Sequence, residues 1–233
     1  MSNNQTFISH LEELRLRIIY SLVAISIASI ICFLFHREIL DLLKIPFENE
    51  LVFISVHEVF LVSLKVSVLA GIITSSPCVL YNLWRFIESA LKREEKNFIM
   101  KYVPLSMVLF AAGAVFAFIV VLPVSLKFFV NFAGDTVKPM ISIDKYVSFV
   151  ILLILIFSST FQLPLIMRML TKLRIVTKND LKLYRKHAIV AIFITAALMT
   201  PPDVFTQIAL ALPVVLLYEL GLVFSAGKKK PKG

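Results

Sequence analysis

The sequence predicts an all-α integral membrane protein with six transmembrane helices and both termini on the cytoplasmic side. Three observations predict it. Apolar residues make up 59 % of the 233 residues and charged residues 17 %, with a mean hydropathy of +0.89; a soluble domain runs nearer half apolar and a quarter charged. The apolar residues fall in continuous runs near the length of about 20 residues that crosses a bilayer as a helix, and continuous rather than alternating runs argue against a β-barrel. The positive charges are distributed unevenly between alternate loops, which sets the orientation. This composition excludes disorder, a collagen-like fibre and an ordinary soluble enzyme.

The elements follow in order. Residues 10–17 (HLEELRLR) place Leu11, Leu14 and Ile18 at helical spacing, an amphipathic helix at the cytoplasmic interface. The first apolar run, 18–35, is long enough to span. Phe35-His36-Arg37 follows it with no small-residue cleavage site, so it reads as an uncleaved first helix rather than a signal peptide. Residues 38–44 continue this helix until Pro46 breaks it, and LVFIS at 51–55 has strand-like residues but is too isolated for a sheet. The second span is 59–83, interrupted by Lys65, with a kink expected at Pro77 and an aromatic belt of Tyr81, Trp84 and Phe86 at its end.

The third span is 102–122. The loop at 124–146 begins apolar (SLKFFVNF) and is expected to lie along the membrane surface as a cap. The fourth span is 147–167. The fifth, 187–200, would be about 21 Å long against a hydrocarbon core of about 30 Å. The sixth, 207–224, contains Pro213 and carries Glu219 near its end. A short fifth and sixth pair joined by Pro201-Pro202-Asp203 would thin the bilayer locally or leave a water-filled notch. The whole chain reads as one polytopic domain: a cytoplasmic N-terminus at 1–17, a six-helix bundle at 18–225 and a basic tail at 226–233.

Six spans put both termini on one side. That side carries Arg15 and Arg17, five basic residues between 85 and 101, seven between 168 and 186 and four after 227, 18 in all, against 5 on the other side. The excess marks the terminal side as cytoplasmic. Topology therefore accounts for the pI near 9.6, and no basic patch with interleaved aromatics points to nucleic acid. Cys32 and Cys78 lie in apolar runs and read as small buried hydrophobes rather than a disulfide or metal pair.

Several polar groups stand out, each with two readings. Glu13 and Arg17 form an i, i+4 pair that can satisfy itself or serve a ligand. Glu94 and Glu95 sit among Lys and Arg at the membrane edge, where carboxylates are most often solvated ion pairs. Asp203 can cap the sixth helix. Gln162 places an amide deep in an apolar run, either a functional group or a hydrogen bond holding the bundle together. There is no H-E-x-x-H, G-x-S-x-G or P-loop, and the four histidines are scattered near span ends, so no enzyme activity, metal or cofactor is expected. A small-solute transporter or channel is the alternative function, but deep polar groups are few and no internal repeat is visible.

Together these segments resemble the TatC family, the core subunit of the twin-arginine protein translocase. The motifs that carry the resemblance are H-L-x-E-L-R-x-R from His10, S-P-x-x-x-Y-x-x-W-x-F-I from Ser76 with its loop glutamate, and T-P-P-D-V-F-x-Q from Thr200. The similarity extends from His10 to about residue 225. It implies a six-helix concave cup in the bacterial inner membrane that receives signal peptides bearing two consecutive arginines. With the single-span partners TatA and TatB, in an oligomeric complex, it would move folded proteins across; the sequence carries no ATP site, so the membrane potential or proton gradient (the proton motive force) is the expected energy source. The resemblance puts signal-binding roles on Glu13, Glu95 and Phe86, partner-helix roles on Thr200 and Gln207, and structural roles on Pro46 and Asp203. Many members carry Glu where this sequence has Gln162, so a role there requiring negative charge does not transfer.

Overall fold

The computed structural model describes residues 2–47, 51–89, 91, 100–133, 140–199 and 204–225. One helix, α1 (Ser2–Phe33), joins the amphipathic segment to the first apolar run. It ends at a turn over Leu34 and Phe35, where His36 Nδ1 lies 2.8 Å from the Phe33 carbonyl, one of the acceptors that a helix end leaves open. The expected continuation is thus a separate helix, α2 (His36–Lys44), which stops short of Pro46.

The expectation that LVFIS is too isolated for a sheet is corrected. β1 (Leu51–Val52) pairs in parallel with β2 (Ile141–Ser142), Leu51 opposite Ile141 and Val52 opposite Ser142. The partner comes from the second long loop, a separation that no local pattern reveals.

α3 (Val56–Ser89) has 34 residues and runs through Pro77, a length of about 51 Å. α4 (Tyr102–Phe116) passes through a π-helical turn at Ala117–Val121 into α5 (Leu122–Ala133). The expected surface cap is corrected in its first part, because residues 124–133 prolong the third helix. Pro123 has no N–H for the ladder, and the π turn just before it accommodates that loss. Ser125 and Leu126 are buried along this extension.

The fourth apolar element is two helices, α6 (Ile143–Thr160) and α7 (Leu163–Lys172), separated at Phe161 and Gln162. Pro164, in the first turn of α7, cannot donate to the Thr160 carbonyl. α8 (Lys178–Leu183) starts from a reciprocal capping box between Thr177 and Asp180. α9 (Arg185–Met199) has 15 residues, about 22 Å, and α10 (Val204–Phe224) has 21, about 31 Å. The expected shortness therefore holds for the fifth apolar helix and not for the sixth, which starts earlier than predicted and is long enough to cross. Five described segments have the length and composition of a span: His10–Phe33, Val56–Ser89, Tyr102–Asn131, Ile143–Lys172 and Thr206–Phe224.

The chain packs as two units, Met1–Val108 with Met140–Ile151 and Leu109–Pro139 with Leu152–Gly233. In the first, α1 lies against α3 at Gly71. A Cβ there would meet Ser29 Oγ and stand 2.7 Å from Ser29 Cα and N. Small residues permit such backbone approach where lipid supplies no hydrophobic drive. Gly71→Val is expected to cost about 1–3 kcal/mol, read as a lower melting temperature in detergent; unchanged melting would mean that this crossing is not tight. In the second unit, Leu122 and Phe157 are fully buried. A Cβ on Gly113 would stand 2.6 Å from the Phe157 carbonyl oxygen, so glycine is required there too.

Candidate functional site

α1 and the end of α3 meet through His10 and Glu13 on the one helix and Phe86 and Ser89 on the other, with Arg17 beside Glu13 on α1. Spacings of i, i+3 and i+7 put His10, Glu13 and Arg17 on one face of α1, and i, i+3 does the same for Phe86 and Ser89 on α3. The His10 and Phe86 rings stack, with centroids 4.7 Å apart and planes 22° from parallel. Ser89 donates to the Phe86 carbonyl at 2.8 Å, and its hydroxyl lies 3.4 Å from His10 Nδ1. Arg17 Nη2 donates to Glu13 Oε1 at 3.2 Å, with the two side chains 25 % and 31 % exposed. Glu13 is thus a half-buried carboxylate already in contact with a guanidinium, beside an aromatic stack. Trp84, one turn before Glu88, is 3 % exposed, and its Nε1 has no partner among the described residues.

Of the predicted residues, Glu13 and Phe86 are brought into one region. Glu95 lies outside the described residues, as do Thr200 and Asp203. From the sequence alone His10 is one of four scattered histidines. The signal that places it was its i, i+3 relation to Glu13.

The other predicted polar groups lie in the second unit. Gln162 is 8 % exposed at the break before α7. Gln207 Nε2 donates to the Phe193 carbonyl at 3.0 Å, tying α10 to α9. A cavity of about 210 Å³ is lined by Ile156, Thr160, Ile192, Thr195, Leu210 and Val214, apolar apart from the two hydroxyls. Pro46 is partly exposed and Pro77 exposed.

A second polar network, missed from the sequence, pins the start of α3. Glu58, 7 % exposed, accepts from Ile54 N at 2.7 Å, Ser55 N at 3.2 Å, Asp144 N at 3.1 Å and the Ser142 hydroxyl. Asp144 in turn accepts from Lys65 Nζ at 2.5 Å, and Lys65 also donates to Ser148 Oγ at 2.9 Å. Tyr146 donates to the Leu43 carbonyl at 2.6 Å and packs on Phe47. The available signals were Ser55-x-x-Glu58 ahead of an apolar run, the spacing of a capping box, and a lysine inside a span, which demands a partner. Among the described residues no three His, Cys, Asp or Glu side chains gather as metal ligands.

Comparison with known proteins assigns this arrangement a relationship. A family model described as Sec-independent protein translocase protein (TatC) matches residues 9–213. The chain is 41 % identical over 231 residues to the Sec-independent protein translocase protein TatC of Carboxydothermus hydrogenoformans, covering 97 % of this chain and 95 % of that one. It is 39 % identical over 220 residues to the protein of that name from Aquifex aeolicus, covering 91 % of each. A solved structure described as "Crystal Structure of Twin Arginine Translocase Receptor- TatC in DDM" superposes with a TM-score of 0.86 at 38 % identity, covering 93 % of this chain and 99 % of that one.

Proposed function

The chain belongs to the TatC family, and from that membership we propose that it is the receptor and core subunit of a twin-arginine translocase, with Glu13 and Glu95 reading the paired arginines of a signal peptide beside Phe86. Like the TatC structures it matches, it is a six-span helical, multi-pass membrane protein that works in protein transport. The excess of 18 Lys and Arg on one side against 5 on the other supports cytoplasmic termini and residence in the bacterial inner membrane.

One observation carries the receptor reading: Glu13 sits beside the His10–Phe86 stack and already holds the guanidinium of Arg17. A signal-peptide arginine presents the same planar fork and can take the carboxylate bidentately in exchange for Arg17, whereas lysine lacks the fork. Glu95 is proposed as the carboxylate for the second arginine. Thr200, Gln207 and Gln162 are proposed as polar contacts for the single-span helices of TatA- and TatB-type partners in an oligomeric complex. Gln162 acts there by hydrogen bonding, since an amide carries donors and acceptors but no charge.

Glu13→Gln keeps the shape and removes the charge. Losing a hydrogen bond to a charged group costs about 1.5–3 kcal/mol, so the affinity for a twin-arginine peptide is expected to fall tenfold or more. Binding to the unaltered chain is expected to weaken with added salt. A Glu13→Gln chain that binds the peptide as tightly as before removes this residue from the site.

A further inference from the structure

α8 lies where several apolar helices end. α7 ends at Lys172, α9 begins at Arg185, and Lys178 Nζ reaches the Val223 carbonyl near the end of α10 at 3.5 Å. Leu181 anchors this short helix: it packs on Met167, Tyr218 and Leu222, and its carbonyl accepts the Tyr218 hydroxyl at 2.8 Å. The outward positions around it carry Arg174, Lys182 and Lys186, all exposed. Between them stand Ile175, Leu183 and Tyr184, exposed by 64 %, 72 % and 60 %.

The local acids are already committed. Asp180 serves the Thr177 cap, and Glu219 pairs with Arg185 at 2.5 Å. Arg174, Lys182 and Lys186 form no ion pair among the described residues. Arg174 also holds a φ of 59°, the left-handed conformation that Gly or Asn ordinarily supplies just after a helix. An arginine kept there at a cost in backbone energy points to a use for its charge.

Topology alone explains a positive loop. It does not explain three large apolar side chains exposed among the basic ones. At headgroup level both sets are satisfied, with the apolar groups against the acyl boundary and the cations on phosphates. We propose that residues 174–186 form a binding surface for anionic phospholipid headgroups, with Arg174, Lys182 and Lys186 meeting the phosphates and Ile175, Leu183 and Tyr184 seated among the chains. This surface is separate from the Glu13 region and does not rest on the receptor reading.

The test reconstitutes the full chain in phosphatidylcholine vesicles carrying a photoactivatable phosphatidylglycerol, with a photoactivatable phosphatidylcholine as the second arm. Labelled peptides are mapped by mass spectrometry. The glycerol lipid is expected to label 174–186 several-fold more than the choline lipid. Near an anionic membrane each basic residue contributes about fivefold in affinity, so the combined variant R174Q, K182Q and K186Q is expected to lose tenfold or more of that labelling. A tail variant with K228Q, K229Q and K230Q is expected to keep it. L183S with Y184S leaves every charge in place and is expected to lower labelling as well, which decides the matter should the first variant fail to accumulate. Equal labelling by both lipids, a basic variant that labels like the original chain, or a tail variant that loses as much would overturn the proposal. So would displacement of the lipid by free glycerol phosphate, which would make this a site for a soluble phosphate.

Discussion

Glu58→Ala is expected to release the start of α3 from the segment 141–144 and to lower the melting temperature of the detergent-solubilised chain on the order of 10 °C. One carboxylate holds three backbone N–H groups, of Ile54, Ser55 and Asp144, together with the Ser142 hydroxyl. Alanine leaves all of them without that acceptor at a site where Glu58 itself is 7 % exposed. A buried donor left unsatisfied costs about 1–3 kcal/mol; the Ser142 hydroxyl is buried and the three N–H bonds are partly so, and all four lose their acceptor together. The β1–β2 pair rests on the same contacts, since Ser142 is a β2 residue. Glu58→Gln retains one acceptor oxygen and is expected to fall between the original chain and alanine. Equal melting of all three would show that water or other groups take over these donors at no cost.

The second large effect is expected at Lys65. Its ammonium sits within a span and is met by Asp144 and Ser148. Asp144→Ala leaves that charge without its counter-ion; an uncompensated lysine at the centre of a span costs about 2.5–3.5 kcal/mol on insertion scales, and that is the upper bound for Lys65, which lies toward the start of α3 and is 39 % exposed. Lys65→Met in the same chain removes the orphaned charge. Each single substitution is expected to destabilise, and the double variant to recover most of the loss, because replacing an ion pair by apolar groups is often neutral while breaking one is not. Thermal melts of the four proteins give the coupling directly. Additive losses would mean that Lys65 and Asp144 do not act as a pair.

These two networks also mark where sequence reading stopped. Helix positions were legible because apolar runs and Pro46 are local signals, whereas α3 runs through Pro77. The α2 break and the extension of the third helix by α5 were not legible, because they depend on how His36 closes a helix end and how a π turn accommodates Pro123. The pairing of Leu51 with Ile141 and the Glu58 contacts join segments separated by two spans, and nothing in either segment announces the other. At the candidate site, the family resemblance singles out Glu13 and Phe86. Their nearness was not legible, since it requires α1 and α3 to lie side by side. His10 and Ser89 were missed because a lone histidine and a lone serine carry no pattern until a second helix faces them.

The central claim is that the face shared by α1 and α3 receives the paired arginines, and site-specific photocrosslinking tests it most directly. A photoreactive residue is placed at position 13 or 86 of the chain in native membranes. A twin-arginine signal peptide and its twin-lysine counterpart are then added in parallel. The account predicts crosslinks from both positions to the arginine peptide and at least tenfold fewer to the lysine peptide. Absence of arginine-peptide crosslinks from both positions, or equal crosslinking of the two peptides, would contradict it.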